Sequence, residues 1–293
     1  MTTRLSLPET DRLPKGRTPR VAIAFGGGGA RGIAHIAVIE ALDEMGIRPV
    51  AIAGSSIGAI FGAGMAAGMS GAEIRDHTLE TIGNRNAVLN RLWSLGPSSM
   101  RDGVGGFRLG HFNLERILGA FLPAQVPDSF EALEIPMKIA VTDYYGQAEA
   151  ILQEGDLRQA IAASAAIPGL FMAVRINGRV MVDGGIFNPV PWKHVMPESD
   201  IVIGIDVVGA PEGDGTHPPN RFDSMFGASQ LMMQGAISLA MKLHPPHLFL
   251  RPSVNRFRVL DFLKAREILA EAEGVKDELK RGLEALLSVT DRV

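Results

Sequence analysis

Short apolar runs and longer stretches of helical spacing alternate along the first third of the chain. Val21-Ala-Ile-Ala-Phe25 is wholly apolar and ends in glycines, which predicts a buried strand. Helical spacing follows from Ala30 to Met45, and Gly46 supplies a stop. Val50-Ala-Ile-Ala53, closed by Gly54, predicts a second buried strand, and a helix from Ile57 to about Ala67 follows at once. This βαβα order predicts a mostly parallel sheet with right-handed crossovers. Ser70 and Glu73 have the spacing of a capping box opening a further helix.

Further along, Met137 to Val141 reads as a strand, and Asp156 caps a helix that ends before Pro168. Two apolar runs, Phe171 to Ile176 and Arg179 to Val182, flank Asn177-Gly178, the strongest short-range signal for a hairpin. Asp183 then falls just past the returning strand. Ile201 to Val208 predicts another strand, residues 209–222 a loop, and helical spacing returns at Ser224. Leu260 to Val289 has amphipathic spacing broken near Gly274. Residues 83–112 are irregular, with Trp93, Pro97 and glycines at 103, 105 and 106, and read as an inserted lid. No repeat or clean boundary divides the chain. The expected organisation is a leader over 1–19 and one α/β domain over 20–293, including the C-terminal helices.

Composition narrows the function. The 293 residues carry 29 Lys+Arg against 32 Asp+Glu, a formal charge of −3, which argues against nucleic acid as a partner. There is no cysteine, which excludes disulfides and thiolate metal sites and fits a reducing compartment. The longest apolar stretch, Ile57 to Met69, is short of the ~20 residues a membrane span needs and reads as a packed core helix. The N-terminal residues hold no signal-like apolar run. A cytoplasmic location is expected, and a peripheral membrane pool is compatible with it.

Three motifs carry chemistry. Gly26-Gly-Gly-Gly-Ala-Arg-Gly32 lies after a strand and opens a helix, so its backbone N–H groups suit an anion or oxyanion. Gly27, Gly29 and Gly32 also match a dinucleotide fingerprint, but the second strand ends in Gly54-Ser55-Ser56, without the carboxylate that would hold a ribose. A plain tight turn is the remaining alternative. Gly54-Ser55-Ser56-Ile57-Gly58 is a G-x-S-x-G between strand and helix, the setting of a nucleophile elbow, and its spacing selects Ser56. The competing role for Ser56 is a helix N-cap. Asp183-Gly184-Gly185 taken alone is ordinary turn chemistry. Beside an activated serine it offers a base, provided burial raises the carboxyl pKa. His194, His217, His244 and His247 follow Asp183, so a serine–acid–histidine order is formally available, though no spacing singles one out.

These motifs, in this order, resemble the patatin-like phospholipase family, and Ser164-Ala-Ala-Ile-Pro168-Gly-Leu-Phe171 and Asn188-Pro189 add to the resemblance. It covers roughly Val21 to Val208, and the layout is similar to the small single-domain bacterial members. Gly26 stands where plant patatins carry an acidic residue. The resemblance implies a three-layer α/β/α fold and hydrolysis of acyl esters, often of lipids, by a serine–aspartate dyad. Ser56 would be the nucleophile and Asp183 the base. Gly27, Gly28 and Gly29, with Arg31, would form the oxyanion hole, and Gly32, Gly54, Gly58, Gly184 and Gly185 would shape the motifs. No metal or cofactor is required, and the implied partner is a lipid or other acyl ester, with peripheral membrane contact. Leu89 to Phe112 and Met225 to Leu243, with Met232, Met233 and Met241, are candidates for the apolar groove. A non-catalytic lipid-binding or regulatory protein on the same fold is the alternative.

Overall fold

The computed structural model describes residues 18–83, 118, 121–213 and 215–290. Nearly all of the expected leader and of the expected lid, including Leu89 to Phe112, lies outside the described residues. Among those described, eight strands form one sheet: β1 (Val21–Phe25), β2 (Ala51–Ser55), β3 (Met137–Asp143), β4 (Ala148–Leu152), β5 (Val174–Ile176), β6 (Arg179–Asp183), β7 (Ile201–Ile205) and β8 (Leu248–Leu250). The order across it is β5-β6-β3-β2-β1-β7-β8, with β4 also paired to β3. The five strands from β3 to β8 are parallel. The pairings of β3 with β4, β3 with β6 and β5 with β6 are antiparallel.

Helices α1 (His35–Glu44), α2 (Ile57–Ala66), α3 (Gly71–Ile82), α4 (Leu157–Ser164), α5 (Arg221–Leu243), α6 (Ala265–Ala272) and α7 (Gly274–Thr290) cover the sheet. Side-chain alternation on β1 assigns the layers. Ile23 and Phe25 join a large core with Ile33, Ile36 and Ile39, while Ala22 and Ala24 join a second core with Trp192, Val195 and Ile237 of α5. Every residue of β1, β2 and β7 is buried, as expected for parallel strands covered on both faces. The result is the expected α/β/α arrangement.

The local signals hold well. Ser70 and Glu73 form the capping box of α3. The Asp156 side chain accepts from Gln159 N–H at the start of α4. Asn177 and Gly178 both have positive φ, 50° and 79°, as a two-residue hairpin turn of type I′ requires. The break at Gly274 separates α6 from α7.

Three expectations need correction. The helix expected from Ala30 starts at His35, after a 3₁₀ stretch over Gly29–Ala34. There Gly29 takes φ 61° and Ala30 N–H donates to Val259 O, so the first turns are fixed by outside contacts. The strand expected to reach Val208 ends at Ile205, because Asp206 Oδ1 accepts from Val208 N–H and Arg31 takes the Val207 and Val208 carbonyls. Strands β4 and β8 were not expected. Ala148–Leu152 is an edge strand with no fully buried residue, and Leu248–Leu250 is too short to show a period.

Candidate active site

Ser56 and Asp183 meet because two strands end head to head against a third. On one side β3 pairs with β4 from Ile139 to Asp143. Its other side is shared. The last β2 pair is Ser55 with Ala140, and the last β6 pair is Asp183 with Val141. Consecutive residues of β3 therefore hold the ends of β2 and β6 side by side.

Ser56 occupies the turn from β2 to α2 with φ 53° and ψ −122°, a conformation that costs on the order of 1–3 kcal/mol in a non-glycine residue. Its side chain makes no capping bond, so the N-cap role fails. The flanking glycines permit the sharp turn: a Cβ at Gly58 would run into the Phe25 carbonyl, and one at Gly54 would sit 2.7 Å from Ala59 Cα. Ser56 N–H donates to Ser164 Oγ at 2.8 Å, and Ser164 Oγ donates to Ala140 O at 2.7 Å.

Asp183 is buried, at 5% exposure. Its Oδ1 accepts from Gly185 N–H at 2.7 Å, while buried Oδ2 has no hydrogen-bond partner. Burial pushes the carboxyl pKa up to about 6, against the pull of the Ser56 hydroxyl and the Gly185 N–H. The Ser56 hydroxyl is thus near enough to favour the ionised carboxyl, without closing a hydrogen bond of normal geometry. A loose pair of this kind is common before substrate binds. No described histidine is bonded to either residue. His194 instead pairs with Glu149 at 2.9 Å, and His247 Nδ1 accepts from Val202 N–H.

The glycine loop approaches the same point. A Cβ on Gly27 would lie 3.3 Å from Ser56 Cβ. Its N–H, however, donates to Pro189 O at 2.9 Å and is not available to a ligand. The N–H groups of Gly28 and Gly29 have no partner among the described residues. A side chain at Gly28 would collide with the Val207 carbonyl, and one at Gly29 with the Val259 carbonyl, so only glycine keeps this backbone. The expectation that Arg31 lines the hole does not match its placement. The buried guanidinium donates to Val207 O at 3.0 Å, Phe257 O at 2.9 Å and Val208 O at 2.5 Å. Burial lowers its pKa to about 10, and Asp206 is the main charge opposing that. Arg31 braces the loop from behind.

One further residue matters that the motifs did not reveal. His35 is fully buried, and burial lowers its pKa to about 4. It is neutral near pH 7, and Nε2–H donates to Gly26 O at 2.8 Å, bracing the loop's first residue. Pro189 supplies the carbonyl that engages Gly27. Gly184 packs so tightly on the Ala140 carbonyl that no side chain fits there. Of the apolar candidates on α5, Met233 Sδ lies 3.4 Å from where Gly185 would carry a Cβ, and Met232 is 70% exposed. Among the described residues no cluster of three His, Asp or Glu could hold a metal ion, and no helix is long and apolar enough to cross a membrane.

The sequence model of the patatin-like phospholipase family matches residues 23–196. An uncharacterized NTE family protein of Mycobacterium tuberculosis is 37% identical over 207 residues, which is 70% of this chain and 54% of that protein. A lysophospholipase NTE1 of Yarrowia lipolytica is 25% identical over 279 residues, 85% of this chain and 18% of that protein. The chain thus spans about half the mycobacterial relative and less than a fifth of the yeast one. The crystal structure of VipD from Legionella pneumophila superposes with a TM-score of 0.49 and 14% identity, over 90% of this chain and 67% of VipD.

Proposed function

Because the chain belongs to the patatin-like phospholipase family, we propose that it hydrolyses acyl esters of lipids with Ser56 as nucleophile and Asp183 as base. Family membership supports a lipid hydrolase. The observation that carries the finer reading is the juxtaposition of a strained, uncapped Ser56 with a buried carboxyl whose Oδ2 has no other partner.

Ser56 Oγ attacks the ester carbonyl carbon while its proton passes to Asp183 Oδ2. The carbonyl electron pair moves to oxygen, and the oxyanion is held by the N–H groups of Gly28 and Gly29. Each such donor is worth about 2.7–4 kcal/mol in the transition state. Collapse expels the alcohol, which takes the proton from Asp183, and leaves an acyl group on Ser56. Water then attacks that acyl group, giving its proton to Asp183. The second collapse releases the carboxylic acid and returns the proton to Ser56. A carboxyl held near 6 is ionised at pH 7 yet is a far better base than one near 3.9. No step needs a metal or cofactor.

The test is labelling with a fluorophosphonate probe, followed by peptide mapping. Wild type is expected to carry one adduct, on Ser56, and to hydrolyse a short-chain ester. Ser56→Ala is expected to fold, take no label and lose the hydrolysis. A folded wild type without label or turnover moves the reading to a lipid-binding protein on the same fold.

A further inference from the structure

Ser164 sits where the β2–β3 ladder is interrupted. In that parallel ladder Ile52 N–H donates to Pro136 O at 3.0 Å. Donors recur every second residue along such a strand, so the next acceptors on β3 are Lys138 O for Gly54 and Ala140 O for Ser56. The last of these bonds is not made. The Ser164 hydroxyl stands between the two groups, accepting from Ser56 N–H at 2.8 Å and donating to Ala140 O at 2.7 Å. Ser164 is fully buried at the C-terminal end of α4 and uses its one donor and one lone pair on these two partners.

We infer that Ser164 is a positioning residue for the reaction: its hydroxyl wedges the nucleophile elbow off β3 and so sets the distance between Ser56 and Asp183. The inference rests on the assignment of Ser56 and Asp183 given above. Ala140 is the register partner of Ser55, its neighbour Val141 is the partner of Asp183, and Gly184 packs on the Ala140 carbonyl. One hydroxyl therefore ties the nucleophile's own backbone to the point where the aspartate loop is seated. Without it, Ser56 N–H either closes directly on Ala140 O, drawing the elbow inward, or stays buried and unpaired. Both displace Oγ from Oδ2, and a misplacement of about 1 Å costs roughly 10²-fold in rate. Ser164 does not touch the Asp183 carboxyl: Oδ1 accepts from Gly185 N–H, and Oδ2 has no hydrogen-bond partner. Its effect must pass through Ser56.

The experiment compares wild type with Ser164→Ala on three readouts: fluorophosphonate labelling rate per folded molecule, kcat and KM for a short-chain ester, and hydrogen exchange at the Ser56 amide. The alanine variant is expected to label and turn over about 10–100-fold more slowly. Its KM should stay within about twofold, because only the geometry of attack has changed; its Ser56 amide should exchange faster if it is left unpaired and at about the wild-type rate if it closes on Ala140 O. If the alanine variant does not fold, Ser164→Cys, similar in size and a weak hydrogen-bonding group, carries the same measurements. A variant that melts lower but labels and turns over at the wild-type rate per folded molecule overturns the inference and leaves Ser56 as nucleophile. A wild type that is folded and never labelled overturns the nucleophile assignment first, and the inference with it.

Discussion

At the scale of single residues, Asp183 carries the largest consequences. A carboxyl raised from 3.8 to about 6 binds its proton more tightly in the folded state than in the unfolded one. The stabilisation it gives is complete below about pH 3.8 and is lost as pH rises through 6, after which it is constant. The ionised form that the proposed reaction needs is thus the form the fold tolerates least. Asp183→Asn removes that burden. Its melting temperature relative to wild type should climb between pH 4.5 and pH 7, by the equivalent of about 2 kcal/mol over that interval. The same variant should lose about 10²–10⁴-fold in turnover, the usual range for a general base. In wild type, kcat/KM should rise with pH through a midpoint near 6, measured on a substrate that does not titrate. A midpoint near 4 would mean that the titrating group is an ordinary exposed carboxylate.

At the scale of elements, the glycine loop owes its shape to segments far along the chain. Ala30 N–H is held by Val259 O, Gly27 N–H by Pro189 O, and Arg31 reaches both the segment that follows β7 and Phe257. The Val259 and Phe257 contributors lie beyond the stretch matched by the family model. Arg31→Lys keeps a charge but cannot serve three carbonyls with a rigid fork. It leaves at least one buried acceptor unpaired, at about 1–3 kcal/mol each. A lower urea midpoint is expected, and hydrolysis should fall more than stability does, because Gly28 and Gly29 lose their backing. The elbow makes a second prediction. Gly58→Ala drives a methyl into the Phe25 carbonyl, a backbone atom that has no rotamer to yield. A loss of at least the 1–3 kcal/mol typical of overpacking is expected, read as a lower melting temperature.

At the scale of the molecule, the C-terminal helix α7 is tied to α1 and α3 by a charge network. Glu40 on α1 receives Arg75 of α3 at 2.5 and 2.6 Å and lies 2.6 Å from Lys276 of α7. Burial alone would raise the Glu40 carboxyl, but Arg75 and Lys276 outweigh it and hold the pKa below its ordinary value. This contribution is present above the ordinary carboxylate range and is lost as pH falls through the depressed value. Glu40→Gln should lower the urea midpoint at pH 7 without changing the slope, equivalent to about 1–3 kcal/mol of stability, since it weakens bonds to two half-buried cations. The gap from wild type should narrow in acid.

Much of this was legible along the chain. The strands that became β1 and β2, the caps at Ser70 and Asp156, the hairpin at Asn177-Gly178 and the break at Gly274 follow from local spacing and backbone preference, which a sequence carries whole. Ser56 and Asp183 were singled out the same way, because a turn between strand and helix and a turn after a hairpin are local events. The edge strand Ala148–Leu152 was not legible, since its residues are half exposed and its pairing partner supplies the order. Nor were the directions of polar groups. Arg31 turns to carbonyls behind the loop, the Gly27 N–H is spent on Pro189, and Ser164 interrupts a ladder, all through contacts between distant segments. The sequence by itself determined which residues could turn, cap, pack or react. Only the tertiary structure decided which donors remain free and how far Ser56 stands from Asp183, because hydrogen bonds between distant segments are settled when the layers close.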